Sequence, residues 1–300
     1  TQNFIETATS ALANDGGLYV PEYIPSFSIE EIKSWKDLSY AELMMKIIVP
    51  FIEDEIDEDD LQKIVNDSLI NFRVPDVTNF VKFDDFYIQE LFHGPTLAFK
   101  DIALQFLGKL QNYILKKQNK DIVIIGATSG DTGSAAIYGV KDCDKIKIFM
   151  LHPHNRISEI QRRQMTSVIS DNVYNISVDS YFDDCQDYVK EMFKNPEFMQ
   201  GSKPLSAVNS INWVRILAQI VYYFQSVLKI TSAEKPVSFI VPSGNMGDIF
   251  AGYIAKNMGL PVGKLIVSTN KNDILHRFLQ NNDYSRKEVI KTVAPSMDIQ

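Results

Sequence analysis

Residues 121–140 read DIVIIGATSGDTGSAAIYGV. Ile122, Val123, Ile124 and Ile125 follow one another without polar alternation, the pattern of a short parallel strand covered on both faces. A glycine-rich turn comes next, and GSAAIYGV continues as a helix. Strand, glycine turn and helix in that order form the unit of a wound α/β sheet. The stretch therefore sets the fold class if its neighbours repeat it.

They do. Downstream, KIKIFML (145–151), NVYNISV (172–178), VSFIVPSG (237–244) and KLIVSTN (264–270) read as strands. Between them ISEIQRRQMTSV, YFDDCQDYVKEMF, the long INWVRILAQIVYYFQSVL and MGDIFAGYIAKNMG read as helices. Upstream, FYIQELF (86–92) reads as a strand. The helix 101–117 after it carries Ala103, Phe106, Leu107, Leu110 and Ile114 on one face. Before residue 86 the chain reads mostly helical. SYAELMMKIIVPFI opens with a capping box, Ser39 and Glu42, and Pro50 is expected to end or kink that helix. The acidic run EDEIDEDD (53–60) lacks the alternation and central glycine of an EF-hand loop and reads as the solvated start of a helix.

Composition narrows the class further. The chain has 300 residues, 45% of them hydrophobic, enough for two domains and a small third. A formal charge of −8 argues against a nucleic-acid surface, which needs a basic excess. No apolar run reaches bilayer length. Two distant cysteines, Cys143 and Cys185, fit a reducing, cytoplasmic setting and form no metal-ligand spacing, and His152, His154 and His276 form none either, so no metal is expected.

Two loops share one design: GATSGDTGSAA (126–136) and PSGNMGDIFAG (242–252) each leave a strand and open a helix. Helix-start N–H groups lack intrahelical partners, and glycine lets an anion approach them closely. Neither loop is a Walker A motif or a dinucleotide fingerprint, and each taken singly is as well read as a tight connection. A third feature joins them. Lys100 follows Leu97, Ala98 and Phe99 behind a Gly-Pro-Thr turn, and a lysine kept dry there is a nucleophile or Schiff-base former. Together the three features point to a small ligand with two anionic groups near one amine.

These motifs, FHGPTLAFKD, GATSGDTGSAA, RRQM, VNSINWVRILAQIVYY, PSGNMGDIFAGY and PSMDIQ, with ANDGGLYVPE near the start, resemble in order the landmarks of the pyridoxal-phosphate-dependent threonine synthases. That family has fold type II, the tryptophan synthase β-like α/β architecture with parallel or mixed sheets flanked by helices. The resemblance implies three domains: a helical N-terminal domain at 1–85, a large cofactor domain at 86–120 and 205–300, and a small α/β domain at 121–204.

The resemblance also assigns roles. Lys100 would bond the aldehyde of pyridoxal 5'-phosphate and later shuttle protons, tasks that need a neutral amine. Gly244, Asn245, Met246, Gly247 and Asp248 match the loop that holds the cofactor phosphate. Thr128, Ser129, Gly130, Asp131 and Thr132 match the loop facing the substrate carboxylate and the cofactor's phenolic oxygen. Many enzymes of this fold carry asparagine where Asp131 stands. An ionised aspartate cannot donate a hydrogen bond, so direct contact with that oxygen needs a proton between them. Asn209, Ser210, Asn212 and Arg215 match a segment directed at the substrate phosphate, a task that suits the arginine fork. His93, Arg156, Arg162 and Arg163 read equally well as local or solvated groups.

The implied reaction is that of a carbon–oxygen lyase, which turns O-phospho-L-homoserine and water into L-threonine and phosphate. The implied protein is a cytoplasmic monomer or homodimer. Family chains run on past PSMDIQ, so the 300 residues are expected to be a fragment lacking strands and the group that meets the pyridine nitrogen, with the start clipped as well. The rival readings are a threonine or serine dehydratase, a sulfhydrylase, or a ligand-binding protein without the chemistry. Arg215 favours a phosphorylated substrate over the first two, and Lys100 weighs against the last.

Overall fold

The computed structural model describes residues 1–10, 13, 17–195, 204–207 and 212–299. Its chain divides into two compact units. The first comprises Thr1–Val20 and Met44–Ala218, the second Pro21–Leu43 and Gln219–Gln300.

In the first unit, β3 (Ile122–Ala127) lies inside a parallel sheet of order β5-β4-β3-β6, with β4 at Ile146–Pro153, β5 at Val173–Val178 and β6 at Leu205–Ala207. One face of the sheet presents Ile122, Ile124, Ile146, Ile148 and Met150 to α6 (Asp131–Val140) and to Met165 of α7 (Glu159–Thr166). The other face buries Ile125 and Leu151 with Cys185 of α8 (Phe182–Lys194). Both faces are covered, which is why β3 needs no polar alternation. Helix α5 (Lys100–Gln118) packs on α6 with the backbones nearly touching. A Cβ added to Gly108 would sit 2.1 Å from the Gly139 carbonyl oxygen, and one on Gly139 would sit 2.4 Å from that of Leu104.

The N-terminal helices are α1 (Phe4–Thr9), α2 (Ile29–Ser34), α3 (Tyr40–Ile52) and α4 (Glu58–Leu69). Pro50 stands inside α3, which runs two residues past it before ending. A proline in the last turn removes a single ladder bond, so the helix ends just after it and not at it. Asp57 caps α4 through the N–H groups of Asp59 and Asp60, so the acidic run serves as a helix start. The strand Phe86–Glu90 (β2) pairs antiparallel with Asn79–Phe83 (β1), a partner that lacks a distinct sequence signature. The long helix α9 (Trp213–Thr231) contributes residues to both units.

The second unit pairs β7 (Val237–Pro242) with β8 (Val262–Ser268) in parallel and follows them with α10 (Gly247–Asn257) and α11 (Ile274–Asn281). Ile240 and Ile266 of this sheet are exposed. The segment Pro21–Leu43 packs into this unit. The Phe27 N–H donates to the Met258 carbonyl at 2.9 Å, and the Phe27 ring meets Trp35 at 4.8 Å and Phe224 at 6.4 Å. Gly259, at φ +96°, leaves room for the Phe27 carbonyl, which a side chain would strike at 2.4 Å. Among the described residues no helix is long and apolar enough to cross a membrane.

Candidate active site

Lys100 is the first residue of α5, and a buried acid beside it builds the turn that places it there. Asp101 is fully buried. One of its oxygens accepts from the Thr96 N–H at 2.8 Å and the other from the Thr96 hydroxyl at 2.7 Å. Gly94 has to be glycine, since a Cβ there would lie 2.4 Å from the Cβ of Asp101. Leu97 takes a left-handed conformation, φ +61°, which turns the chain into the helix. From α7, Gln164 Nε2 donates to the Thr96 carbonyl at 2.8 Å. The turn is thus held from both sides.

The Lys100 side chain is 12% exposed and ion-pairs with Asp131, the first residue of α6. Its Nζ stands 5.6 Å from the centre of the Phe99 ring. Burial lowers its pKa, the Asp131 carboxylate opposes that shift, and the Arg215 charge adds to it. Leu97 is 48% exposed and contributes no dry wall, contrary to the expectation from its place in the sequence. Its left-handed backbone turns it outward while Phe99 stays by the amine.

The loop at 128–132 is shaped by its own hydroxyl. Thr128 Oγ1 accepts from the N–H groups of Gly130 at 3.0 Å and Gly133 at 2.9 Å. Gly130, at φ +140°, passes under Gln161, which a Cβ would strike at 2.2 Å. Ser129 is exposed, and Thr132 is half-buried with its N–H donating to Asp131 Oδ1 at 2.7 Å. Arg215 is buried in the first turn of α9, and burial lowers its pKa to about 10 against the pull of Asp131. It is therefore no surface ion pair. Asn212 spends its amide on structure: Oδ1 accepts from the Val214 N–H and Nδ2 donates to the Ser10 carbonyl. Asn209 and Ser210 lie outside the described residues. Lys100, Thr128, Gly130, Asp131, Thr132 and Arg215 all belong to the first unit.

The second glycine loop, in the second unit, leaves β7 and opens α10. Met246 stands at the N-cap in the left-handed region, φ +57°, and no side chain caps the helix. A Cβ on Gly247 would meet nothing within 4 Å, so the first turn opens onto free space. Uncapped N–H groups facing open space, with the positive end of the helix dipole behind them, suit a phosphate. Asp248 follows in that first turn, but its carboxylate accepts the Tyr222 hydroxyl at 2.5 Å and the Tyr223 hydroxyl at 2.9 Å. Burial raises the Asp248 pKa while the two hydroxyls pull it down. The tyrosines thus occupy a charge that would otherwise face any anion at the loop. Taken each in its own unit, the uncapped start of α10 is a cradle of the kind a phosphate requires, and Lys100 is a dry amine of the kind an aldehyde requires.

Several groups fall outside this set. His93 Nε2 pairs with Glu90 at 3.0 Å, a local bond. Arg162 and Arg163 pair with Glu159 on the surface of α7, and Arg156 lies 3.8 Å from the centre of the Tyr181 ring. Sequence reading missed Thr96, Asp101, Gln164, Tyr222 and Tyr223. For Asp101 the only signal is its place directly after Lys100, where an acid reads merely as a helix-dipole partner.

Comparison with known proteins gives the family. The family model described as threonine synthase N terminus matches residues 1–69, and the one described as pyridoxal-phosphate dependent enzyme matches residues 72–300. A threonine synthase of Pseudomonas aeruginosa is 52% identical over 99% of this chain and 63% of its own length. That of Saccharomyces cerevisiae is 46% identical over the whole chain and 62% of its own. The crystal structure of PLP-bound threonine synthase from Brucella melitensis superposes with a TM-score of 0.96 at 46% identity, covering 99% of this chain and 64% of that one. The chain thus spans about 63% of the length of such a relative. Its motifs, its fold and its relatives agree, and the chain belongs to the threonine synthases of the pyridoxal-phosphate-dependent enzyme family.

Proposed function

We propose that the whole protein converts O-phospho-L-homoserine and water into L-threonine and phosphate, with pyridoxal 5'-phosphate as cofactor. The observation that carries this reading is Lys100, a buried amine of lowered pKa in reach of one anion and one buried cation. Lys100 would hold the cofactor covalently, and the N–H groups of Gly244, Asn245, Met246, Gly247 and Asp248 would take its phosphate. When bound, the cofactor supplies an electron sink for the pair left at Cα.

The chain's own residues do the rest. Neutral Lys100 takes protons from Cα and Cβ of the substrate and returns protons to Cα and Cγ as phosphate departs and water adds at Cβ. Arg215, with Asn209 and Ser210, holds the substrate phosphate; a phosphorylated substrate is the natural partner of such a buried guanidinium. Thr128, Ser129, Gly130 and Thr132 present the α6 start to the substrate carboxylate. In this reading residues 1–85 are the N-terminal domain, 86–120 with 205–300 the cofactor domain and 121–204 the small domain. The protein works in the cytoplasm as a monomer or homodimer, without nucleic acid.

The test is the whole protein with pyridoxal phosphate, beside Lys100→Ala. The expected result is a visible absorbance band that borohydride abolishes while leaving the reduced cofactor's mass on the peptide containing Lys100. The variant shows neither. Phosphate release and threonine formation on adding phosphohomoserine then identify the reaction. A folded wild type without the band sinks the proposal.

A further inference from the structure

We propose that Asp131 is a second catalytic residue, the proton partner of Lys100: its carboxylate takes the proton that Lys100 carries and hands it back. The inference rests on the reading above and adds a residue to its chemistry.

The geometry is specific. The two oxygens of Asp131 have separate tasks: Oδ1 accepts from the Thr132 N–H at 2.7 Å, and Oδ2 faces Lys100 Nζ. The carboxylate is 13% exposed, beside an amine that is 12% exposed, so a proton passing between them meets little bulk water. Among the described residues the charges acting on Lys100 are Asp131, from the start of α6, and Arg215, from the start of α9. Arg215 can take no proton, so Asp131 alone of the two can accept one. It stands in the first turn of α6, the end of the helix at which a carboxylate is favoured.

Proton counting gives the pair a purpose. Lys100 has to be neutral to attack a carbonyl, and neutral again each time it accepts a proton. After taking one proton it is an ammonium and can take no second until the first has left. Transfer to Asp131 breaks one N–H bond on Lys100 and forms one O–H bond on the carboxylate, with no change of oxidation state. The reverse transfer reloads the amine as an acid. An asparagine cannot do this, because an amide oxygen accepts a hydrogen bond but not a proton at neutral pH. Aspartate at this position is thus chemistry and not a neutral replacement of asparagine.

The test is Asp131→Asn in the whole protein. Asparagine keeps the oxygen to which Thr132 donates, so the loop keeps its shape, as equal melting temperatures will show. With cofactor stripped, trace acetylation of Lys100 by acetic anhydride is followed against pH by mass spectrometry, relative to exposed Lys36. In the variant the labelling midpoint moves to lower pH, because burial and Arg215 still disfavour the ammonium and the anion is gone. With cofactor restored, kcat for threonine formation falls about 100- to 1,000-fold, the scale of a lost acid–base group, while KM for phosphohomoserine changes little. An unchanged labelling midpoint overturns the proposal, and so does a kcat within threefold of wild type. A wild type whose Lys100 borohydride does not fix to the cofactor overturns instead the functional reading beneath it.

Discussion

At the scale of single residues, the reactive amine depends on its silent neighbour. Asp101 is buried with both oxygens committed to Thr96, and burial raises its pKa while those bonds pull it down. Asp101→Ala leaves two buried Thr96 donors unmet, at about 1–3 kcal/mol for each unsatisfied group. Urea denaturation should therefore show a loss of roughly 2–6 kcal/mol, and borohydride labelling of Lys100 should slow in the protein that remains folded. An unchanged midpoint would remove Asp101 from the role of anchor. The sequence made Lys100 legible because an amine after an apolar run is chemically odd. It left Asp101 illegible because its partner, Thr96, is a residue type at home in any turn. The same holds for Asp248, whose tyrosine partners lie about 25 positions earlier on another helix.

At the scale of elements, the strand–turn–helix periods were readable and the contacts between helices were not. β3, α6 and β4 stand where their apolar patterns put them, since a strand buried on both faces has a composition of its own. β6 spans three residues and borrows its pairing from β3, so no pattern announces it. The glycines of α5 and α6 are a further case. In sequence they look like weak helix formers; in the fold they let two backbones touch. Gly108→Ala would drive a methyl into the Gly139 carbonyl, where no flexible side chain can yield. Overpacking of this kind costs about 1–3 kcal/mol, occasionally more. Chemical denaturation of Gly108→Ala beside Gly108→Ser should show both less stable than wild type, and a neutral alanine would mean that the helices separate more easily than their packing implies.

At the scale of the whole molecule, surface charge governs the acid limit. The carboxyls of Glu42, Asp60, Asp144, Asp184, Asp273 and Asp283 are held below their ordinary range by hydrogen bonds, and Arg162 and Arg163 bring Glu159 down to about 2. A carboxyl depressed in the folded state lends stability that is complete above its unfolded pKa and is lost as pH falls toward its folded one. The melting temperature should thus drop between pH 5 and pH 3, with Asp101 and Asp248, raised by burial, acting in the opposite sense. Replacing both Arg162 and Arg163 by alanine should flatten part of that slope in calorimetry. An equal slope would assign the acid limit to other groups.

The division of the chain also has a consequence in time. Pro21–Leu43 belongs to a unit whose remaining residues begin at Gln219. A ribosome adds about 5–20 residues each second, so this segment emerges on the order of ten seconds or more before its partners are made. Throughout that interval the nascent chain displays Phe27 and Trp35, whose ring partner Phe224 does not yet exist. During translation, residues 21–43 are thus a stretch for a holding chaperone to cover.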